Sequence, residues 1–298
     1  MILIDYNQTV IASYSTSKQS KHSQFMPDYT TEELVRHKVL NTIRSVNTKY
    51  RAKYGKIVIA CDSKRSWRKD VFPYYKAARK KARSQSDMNW TELFEVLDKL
   101  KDELRNYFPY KVVEVERAEA DDVIAVLTKL YSPHEPVMII SGDKDFVQLH
   151  GPNVQQADLV RKRMISHPNP REFLYRHIIS GDRGDGIPNI LSPASSFVDE
   201  ERQRRMMTAT LTKWVDRLLE TEQVSESEDT MKEFVEEMVI DRWKENAMLI
   251  DLDKIPSDVV QAILDEHNSP DQVTDRSKLM TYMIKHRLKK LSESISDF

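Results

Sequence analysis

The sequence predicts an α/β protein with a mostly parallel central sheet flanked by helices and a smaller helical C-terminal domain. Short apolar runs alternate with segments of helical periodicity through the first half of the chain. After about Gly181 the strand pattern ends. A length of 298 residues suits one large domain with a smaller companion, so we expect domains at 1–180 and 181–298.

The first elements are a buried strand and a helix. The chain begins with the apolar run Ile2–Ile4, which ends at Asp5. The polar stretch Ser15–Thr30 reads as a loop, and from Thr31 the apolar residues recur at helical spacing. The second strand, 57–61, ends at Asp62.

The later elements repeat this alternation. A helix begins near Trp90, a third strand covers 111–115, a helix covers 120–130, and a fourth strand, 137–140, ends close to Asp143. Strands alternating with helices predict a parallel sheet, whose functional crevice lies beyond the carboxyl ends of the strands. Asp5, Asp62 and Asp143 all lie at or just past such ends.

The C-terminal part reads as helical. The segment Thr221–Thr230 is acidic and polar, and we expect a loop there. The apolar residues between Met231 and Val239 have the spacing of an amphipathic helix, and Lys278–Leu291 suggests another.

Composition excludes several protein classes. No run of about 18 apolar residues is present, so no membrane span is expected. The single cysteine, Cys61, excludes a disulfide framework and a cysteine-based zinc site. The N-terminus shows no secretion signal, and we expect a soluble intracellular protein.

The overall balance of 46 basic and 47 acidic residues hides a segregation of charge. Between Ser63 and Arg83 nine basic residues accompany one acid, Asp70, and aromatic residues are interleaved with them. Cations follow phosphates and aromatic rings stack on bases, so this segment suits single-stranded nucleic acid. A solvated charged segment is the alternative for this stretch taken alone.

Carboxylates form the second pattern. Besides the three strand-end residues, they occur in Glu119-Ala120-Asp121-Asp122, in Asp143-Lys144-Asp145 and, as Asp182 and Asp185, in Gly-Asp-Arg-Gly-Asp-Gly. Any one of them could serve as a helix cap or turn residue. Together around one crevice they would repel one another without bound cations, which predicts an Mg²⁺ site. The eight histidines show no metal-ligand spacing.

Three motifs resemble the 5′-nuclease family, which contains flap endonucleases and the 5′-exonuclease domains of bacterial DNA polymerases. They are Glu119-Ala120-Asp121-Asp122, then Ile140-Ser141-Gly142-Asp143-Lys144-Asp145, and Gly181-Asp182-Arg183-Gly184-Asp185-Gly186-Ile187-Pro188. The stretches Ser66–Arg79 and Glu245–Pro256 resemble the ribonuclease H subgroup of T-even-type bacteriophages. The likeness covers most of the chain.

The resemblance implies a PIN-like 5′-nuclease core that acts as a 5′-to-3′ exonuclease and flap endonuclease with ribonuclease H activity. Such an enzyme removes RNA primers and 5′ flaps from lagging-strand fragments by metal-activated water attack, leaving 5′-phosphate products. It also implies phage replication in the cytoplasm of an infected bacterial host. Substrates would be branched DNA and RNA–DNA hybrids with free 5′ ends. The phage single-stranded-DNA-binding protein and sliding clamp are the partners expected for the family.

The resemblance also implies roles for residues. Two Mg²⁺ sites are expected, with Mn²⁺ as a substitute. The first would be surrounded by Asp5, Asp62, Glu119, Asp121, Asp122 and Asp143, and the second by Asp145, Asp182 and Asp185. The catalytic residues would be Lys76, Arg79 and Asp143. The side chains of Lys76 and Arg79 would contact the scissile phosphate.

The family's arch, through which a free 5′ strand passes, maps onto residues 63–90. Nucleic-acid contacts are expected from Lys64, Arg65, Arg68, Lys69, Tyr75, Lys76, Arg79, Lys80, Arg83 and Lys144. The helical C-terminal domain would contribute to duplex binding. The sequence departs from the family where Asn189 follows Pro188 and no second glycine motif comes after it.

Two alternatives remain at this stage. A PIN-type ribonuclease shares an acidic site on a parallel sheet, but it is usually shorter and lacks the long basic insertion. A structure-specific DNA-binding protein that does not cleave is the second alternative. Metal-dependent cleavage distinguishes an enzyme from such a binding protein.

Overall fold

A computed structural model describes residues 1–21, 29–220, 227–233, 235–270 and 275–298. Within them, six strands form one sheet in the order β3-β2-β1-β4-β5-β6. The strands are β1 (Ile2–Asp5), β2 (Ile57–Ala60), β3 (Lys111–Val113), β4 (Val137–Ile140), β5 (Val154–Asp158) and β6 (Arg163–Ile165). Neighbouring strands from β3 to β5 are parallel, and β6 is antiparallel to β5. The prediction of a mostly parallel sheet is confirmed.

Helices flank this sheet and form most of the C-terminal part. They are α1 (Tyr6–Lys21), α2 (Thr31–Tyr54), α3 (Arg68–Val71), α4 (Ala78–Ser84), α5 (Trp90–Tyr107), α6 (Ala120–Tyr131), α7 (Pro170–Ser180), α8 (Thr208–Leu219), α9 (Ser227–Lys232), α10 (Glu237–Ile250), α11 (Ser257–Asn268), α12 (Arg276–Lys285) and α13 (Lys289–Ser292). Residues Lys144–Leu149 and Ile295–Asp297 form 3₁₀ helices. None of the helices in the described residues is long and apolar enough to cross a lipid bilayer.

The two faces of the sheet are covered by different helices. In the central strand β1, Ile2 and Ile4 face one cluster of buried side chains and Leu3 faces the other. This alternation follows from the two-residue period of a strand. Helices α1, α2, α5, α12 and α13 cover the first face, and α6 and α11 cover the second. Both faces are therefore closed, as in other parallel sheets.

A buried polar network fixes α12 on the first face. The Arg36 guanidinium donates to both carboxylate oxygens of Glu103 at 2.8 Å each. The Tyr282 hydroxyl donates to Glu103 Oε2 at 2.7 Å. All three residues are buried, so the hydrogen bonds satisfy polar groups that would otherwise be costly to bury. Helix α12 is thus anchored to α2 and α5 on this face of the sheet.

A third cluster of buried residues lies among α7, α8, α9 and α10, and it includes Phe72 and Tyr75 from the basic segment. The helices that follow Gly181 agree with the predicted helical C-terminal part, and they begin with α8 at Thr208. They divide between this cluster and the two faces of the sheet, because α11 and α12 pack on the sheet. The division into domains at 1–180 and 181–298 stays a prediction.

The predicted loop at Ser15–Thr30 is wrong up to Lys21, because α1 extends through Lys21. Residues 22–28 lie outside the described part of the chain. Hydroxyl side chains along α1 bond to carbonyls one turn earlier, as Ser17 Oγ does to Ser13 O at 2.7 Å. Val10 and Tyr14 are fully buried on the sheet side. Tertiary packing therefore overrides the weak helix propensity of this serine-rich and threonine-rich stretch.

Several other boundaries differ from the sequence prediction. Strands β5 and β6 were not predicted, since Gln155 and Gln156 interrupt the apolar pattern of β5. The predicted helix between Met231 and Val239 is divided between α9 and α10; of its residues, Phe234 lies outside the described part. The predicted loop at Thr221–Thr230 is helical from Ser227, and 221–226 are not described. The predicted helix Lys278–Leu291 breaks at Arg287, whose φ is +56°.

Candidate metal centre

Asp5 and Asp143 lie at the carboxyl ends of the two central strands, β1 and β4. Asp5 Oδ1 accepts a hydrogen bond from Gln8 N (3.0 Å), and Asp5 Oδ2 accepts one from Ser141 Oγ (3.0 Å). Ser141 Oγ in turn accepts from Asp143 N (3.1 Å). The loop after β4 is thereby tied to the end of β1, which brings the two carboxylates to one place.

Asp62 follows β2 and is oriented by two donors. Its Oδ1 accepts from Ala120 N (2.7 Å), and its Oδ2 accepts from Asn7 Nδ2 (2.7 Å). Ala120 is the first residue of α6, where backbone N–H groups have no partner within the helix. Asp62 therefore links the end of β2 to the start of the helix that contains Asp121.

The surroundings of these carboxylates disfavour their ionised form. Burial, with the charges of Asp62 and Asp143, raises the pKa of Asp5 to about 7. Burial also raises the pKa of Asp62. Burial and the charges of Asp143 and Asp5 raise the pKa of Asp121 well above its ordinary value. A bound proton or cation would relieve this repulsion.

Glu119 lies beside this cluster but is neutralised by protein cations. Its Oε1 accepts from Lys76 Nζ (2.6 Å), and its Oε2 accepts from Tyr75 OH (2.7 Å) and from Arg68 (3.2 Å). Burial alone would raise the pKa of Glu119, but Lys76 and Arg68 outweigh it and lower that pKa to about 2. Its predicted role as a metal ligand stays a prediction.

Asp122 is not available to a metal, so this prediction is wrong. The residue is fully buried. Its Oδ1 accepts from Arg68 NH2 (2.8 Å), and its Oδ2 accepts from Arg68 NH1 (3.1 Å), Trp67 Nε1 (3.1 Å) and Glu119 N (2.9 Å). Glu119, the N-cap of α6, and Asp122, three residues later, lie on one face at the start of that helix. The cation on that face is Arg68 rather than a metal.

Arg68 and Tyr75 are likewise unavailable to nucleic acid, so both of these predictions are wrong. Arg68 is 3% exposed, and its Nε also donates to Leu249 O at 2.9 Å. Tyr75 is 2% exposed, and its ring belongs to the third buried cluster. Its hydroxyl lies within hydrogen-bond distance of Glu119 and Asp185. Both residues anchor the basic segment to the buried core of the fold.

Asp185 connects the basic segment to the loop after α7. Its Oδ1 accepts from Arg79 NH2 (2.6 Å), and its Oδ2 lies 3.8 Å from Lys76 Nζ. Asp185 O accepts from Lys76 N at 2.7 Å, which supports the left-handed conformation of Lys76 (φ +56°). Gly186 also has a positive φ, and an added Cβ would lie 3.2 Å from Tyr74 O. A glycine suits this close approach of two backbone segments.

A second group of potential ligands consists of Asp145, His177 and Asp182. One ligand atom from each lies within 4.8 Å of the others. His177 Nε2 is 2.9 Å from Asp182 Oδ2, and His177 Nδ1 is 3.6 Å from Asp145 Oδ1. Burial and the charge of Asp143 raise the pKa of Asp145 to about 7. Burial alone would raise the pKa of Asp182, but the bond to His177 outweighs it and lowers that pKa.

His177 was not among the site residues predicted from the sequence. The residue lies on α7, five positions before Asp182, and the chain gives no histidine pair or other local spacing that would mark it. Only the turn at Gly181 brings the two side chains together. Gly181 has a φ of +70°, and an added Cβ would lie 2.3 Å from Ile187 O.

The C-terminal half of α10 supports the loop that follows α7 through hydrogen bonds. Asn246 Nδ2 donates to Ile178 O and to Pro188 O at 2.9 Å each, and Asn246 is fully buried. Gln148 Nε2 donates to Ile250 O at 3.1 Å, which connects the segment after Asp143 to the end of the same helix. Helix α10 therefore supports both groups of carboxylates.

Most of the remaining predicted nucleic-acid contacts are exposed to solvent. Lys64, Arg65, Lys69, Arg79, Lys80 and Lys144 are exposed. Arg83 is partly buried, with its guanidinium over the rings of Trp90 (5.0 Å) and Phe94 (5.2 Å). Lys144 Nζ is 3.8 Å from Asp182 Oδ2. Their roles in binding stay predictions.

The chain matches known proteins over both of its halves. Residues 1–175 match the family of 5′-3′ exonuclease, N-terminal resolvase-like domains. The chain belongs to the 5′-3′ exonuclease family. Residues 171–298 match the C-terminal domain of T4 RNase H. The presence of this second segment favours the 5′-nuclease interpretation over a PIN-type ribonuclease.

Two curated relatives illustrate the likeness within this family. Ribonuclease H of Enterobacteria phage T4 is 32% identical over 306 residues, covering 99% of this chain and 95% of that protein. A 5′-3′ exonuclease of Buchnera aphidicola is 26% identical over 201 residues, covering 64% of this chain and 65% of that protein. The resemblance of the sequence motifs to the 5′-nuclease family and to its ribonuclease H subgroup is thus confirmed.

Solved structures confirm the fold. The T5 D15 protein co-crystallised with metal ions has a TM-score of 0.59 and 17% identity, covering 89% of this chain and 97% of that chain. The bacteriophage T5 D15 flap endonuclease, in a complex with DNA and metal ions, has a TM-score of 0.59 and 18% identity, covering 90% of this chain and 99% of that chain.

The residues present suit divalent cations. Asp5, Asp62, Asp121 and Asp143 supply hard oxygen donors at one crevice, and a cation would offset their repulsion. In the second group, Asp145 Oδ1 and His177 Nδ1 are buried and lack a hydrogen-bond partner among the described residues. Buried polar atoms of this kind normally have a partner, so an ion between them is consistent with the geometry.

We expect Arg68→Ala to destabilise the fold by about 3–5 kcal/mol, because it leaves the fully buried Asp122 carboxylate unpaired. Urea unfolding measures this free energy. Lys69→Ala, at the exposed neighbouring position, is the control and should change it by less than about 0.5 kcal/mol. Equal stability of the two variants would contradict the assignment of Arg68 to the core.

We expect Asp5→Asn to stabilise the metal-free protein at pH 8 by roughly 2–4 kcal/mol. The folded-state pKa of about 7 lies above the unfolded value, so Asp5 stabilises the fold at low pH and loses that contribution as pH rises toward 7. The gain should therefore shrink by more than half at pH 5. Thermal melts at both pH values measure it, with the exposed Asp216→Asn as the control. A gain independent of pH would contradict the raised pKa.

Proposed function

We propose that this protein is a metal-dependent 5′-to-3′ exonuclease and flap endonuclease with ribonuclease H activity. It would hydrolyse phosphodiester bonds near free 5′ ends of branched DNA and RNA–DNA hybrids and leave 5′-phosphates. The observation that supports this most is the carboxylate cluster of Asp5, Asp62, Asp121 and Asp143 beside a cationic segment. A protein that only binds phosphates gains nothing from such a repulsive cluster.

The likeness to known proteins supports a proposed biological setting. A relative named ribonuclease H, from phage T4, matches nearly the whole chain, and a related fold occurs in a flap endonuclease complex with DNA. We place the activity in phage replication, in the cytoplasm of the infected bacterial host, where it removes RNA primers and flaps from lagging-strand fragments. The single-stranded-DNA-binding protein and the sliding clamp are the proposed partners.

Mg²⁺ is the proposed cofactor, with Mn²⁺ as a substitute. Asp5, Asp62, Asp121 and Asp143 would hold one ion, with Glu119 beside them. Asp145 and Asp182 would hold a second, with Asp185 acting through water. When bound, such ions polarise the phosphate and lower the pKa of water, so that hydroxide is available at neutral pH.

Lys76 and Arg79 are the proposed contacts to the scissile phosphate. Lys76 Nζ is 2.6 Å from Glu119 and 3.8 Å from Asp185, so it lies between the two groups of carboxylates. Glu119 and Asp185 raise its pKa even though burial opposes them, so the ammonium stays charged. The Arg79 side chain is 45% exposed and is aimed by Asp185. Both cations can neutralise charge that develops on the phosphate without moving far.

The exposed cations would bind the nucleic-acid backbone outside the centre. Lys64, Lys69 and Lys80 are suited to phosphates along the strand that enters through residues 63–90. The segment 181–298 would contact the duplex. Because phosphate contacts release counterions, binding should weaken steeply as salt increases.

We expect wild-type protein to release short 5′-labelled products from a 5′-flap substrate only when Mg²⁺ is present. Asp143→Asn should lower the cleavage rate about 100-fold or more, because it weakens the hold on the cation. DNA binding should persist in this variant, since its repulsion of phosphate is reduced. Asp216→Asn is the control and should cleave normally. Normal cleavage by Asp143→Asn would overturn the metal assignment, and binding without cleavage by wild type would favour a pure DNA-binding protein.

We expect Lys76→Met to reduce the single-turnover rate about 100-fold while the DNA dissociation constant changes less than about threefold. The methionine keeps the length of the side chain and removes its charge. Lys80→Met, in the exposed helix α4, is the control and should mainly weaken binding and reduce its salt dependence. Equal losses of affinity and rate in the two variants would show that Lys76 only contributes to binding.

A further inference from the structure

His177 is a buried side chain at the second group of carboxylates. It is 7% exposed and lies on α7, between Asp145 and Asp182. Asp182 Oδ2 is a carboxylate oxygen and accepts, so the 2.9 Å contact places the hydrogen on His177 Nε2. In the neutral imidazole, Nδ1 then has a free lone pair.

That lone pair faces another unsatisfied acceptor. His177 Nδ1 is 3.6 Å from Asp145 Oδ1, which is beyond hydrogen-bond distance. Both atoms are buried, and neither has a hydrogen-bond partner among the described residues. Two acceptors in this arrangement repel each other, whereas a cation between them is attracted to both. The separation is shorter than about 4.2 Å, which is twice a typical bond from imidazole or carboxylate to a first-row metal.

We propose that His177 Nδ1 is a direct ligand at the second metal position, together with Asp145, and that this position prefers a first-row transition ion to Mg²⁺. The inference deepens the proposed function, on which it rests, by naming a ligand and an ion class. In this refinement of the second position, Asp182 Oδ2 accepts from His177 Nε2 on the opposite edge of the ring and fixes the tautomer and the ring orientation that coordination requires.

The preference follows from ligand chemistry. Mg²⁺ takes oxygen donors and keeps several waters, whereas imidazole nitrogen suits the transition ions, whose affinity rises from Mn²⁺ to Cu²⁺ and falls back at Zn²⁺. The first position offers only carboxylates among the described residues that we assign to it. The two positions should therefore differ in selectivity, with Mg²⁺ suited to the first and a transition ion to the second.

Pulsed electron paramagnetic resonance of Mn²⁺ bound to the full-length protein tests this without any activity measurement, because a coordinated imidazole gives ¹⁴N modulation of the Mn²⁺ echo. We expect this modulation in wild type and in Asp5→Asn, which impairs only the first position. His177→Gln should abolish it, because the glutamine amide can still donate to Asp182 but has no lone pair in the place of Nδ1. His134→Gln, at an exposed histidine, is the control and should retain it.

Titrations of the same variants measure the preference. His177→Gln should weaken Mn²⁺ binding at the second position about 10-fold or more and change Mg²⁺ binding less than threefold. Bound Mn²⁺ without ¹⁴N modulation in wild type would overturn the inference and leave the proposed nuclease standing. Modulation that persists in His177→Gln would also overturn it. Absence of Mn²⁺ and Mg²⁺ binding would overturn the inference and the proposed function together.

Discussion

The constraint on which the rest of this structure depends is the repulsion among carboxylates at the ends of parallel strands. The sheet order places β1 between β2 and β4, so Asp5, Asp62 and Asp143 meet at one edge whether or not their charges are compensated. Burial of apolar side chains on both faces of the sheet stabilises this arrangement. The fold therefore maintains a site whose charged form is unfavourable in the absence of a cation.

Protein cations relieve only part of this repulsion, and their distribution divides the acidic residues. Arg68 and Lys76 neutralise Glu119 and Asp122 from the side of the basic segment. The strand-end carboxylates receive mainly neutral donors, such as Ser141 and the backbone of α6. Neutral donors fix the orientation of a carboxylate but leave most of its charge. One part of the basic segment thus belongs to the core, and another part remains free for a polyanion.

The sequence predicts the sheet and its strand-end carboxylates well, because short apolar runs and the acids that follow them are local patterns. The sequence does not predict the features that depend on tertiary contacts. Arg68 and Tyr75 look like surface groups in a basic stretch, and only their distant partners Asp122 and Asp185 show that they are buried. No local sequence pattern marks His177, because it is the turn at Gly181 that brings its side chain to Asp182. Helix α1 and strand β5 are polar in sequence. They form because their inward-facing side chains pack into the buried core.

The contacts that Arg68 and Gln148 make with the end of α10 have an evolutionary consequence. Arg68 and Gln148 lie in the segment that matches the N-terminal family description, whereas α10 lies in the segment that matches the C-terminal one. Arg68 Nε donates to Leu249 O at 2.9 Å, and Gln148 Nε2 donates to Ile250 O at 3.1 Å. A recombination event that exchanged the C-terminal segment would have to bring carbonyls that these two donors can reach, so the two segments are expected to have been inherited as a pair.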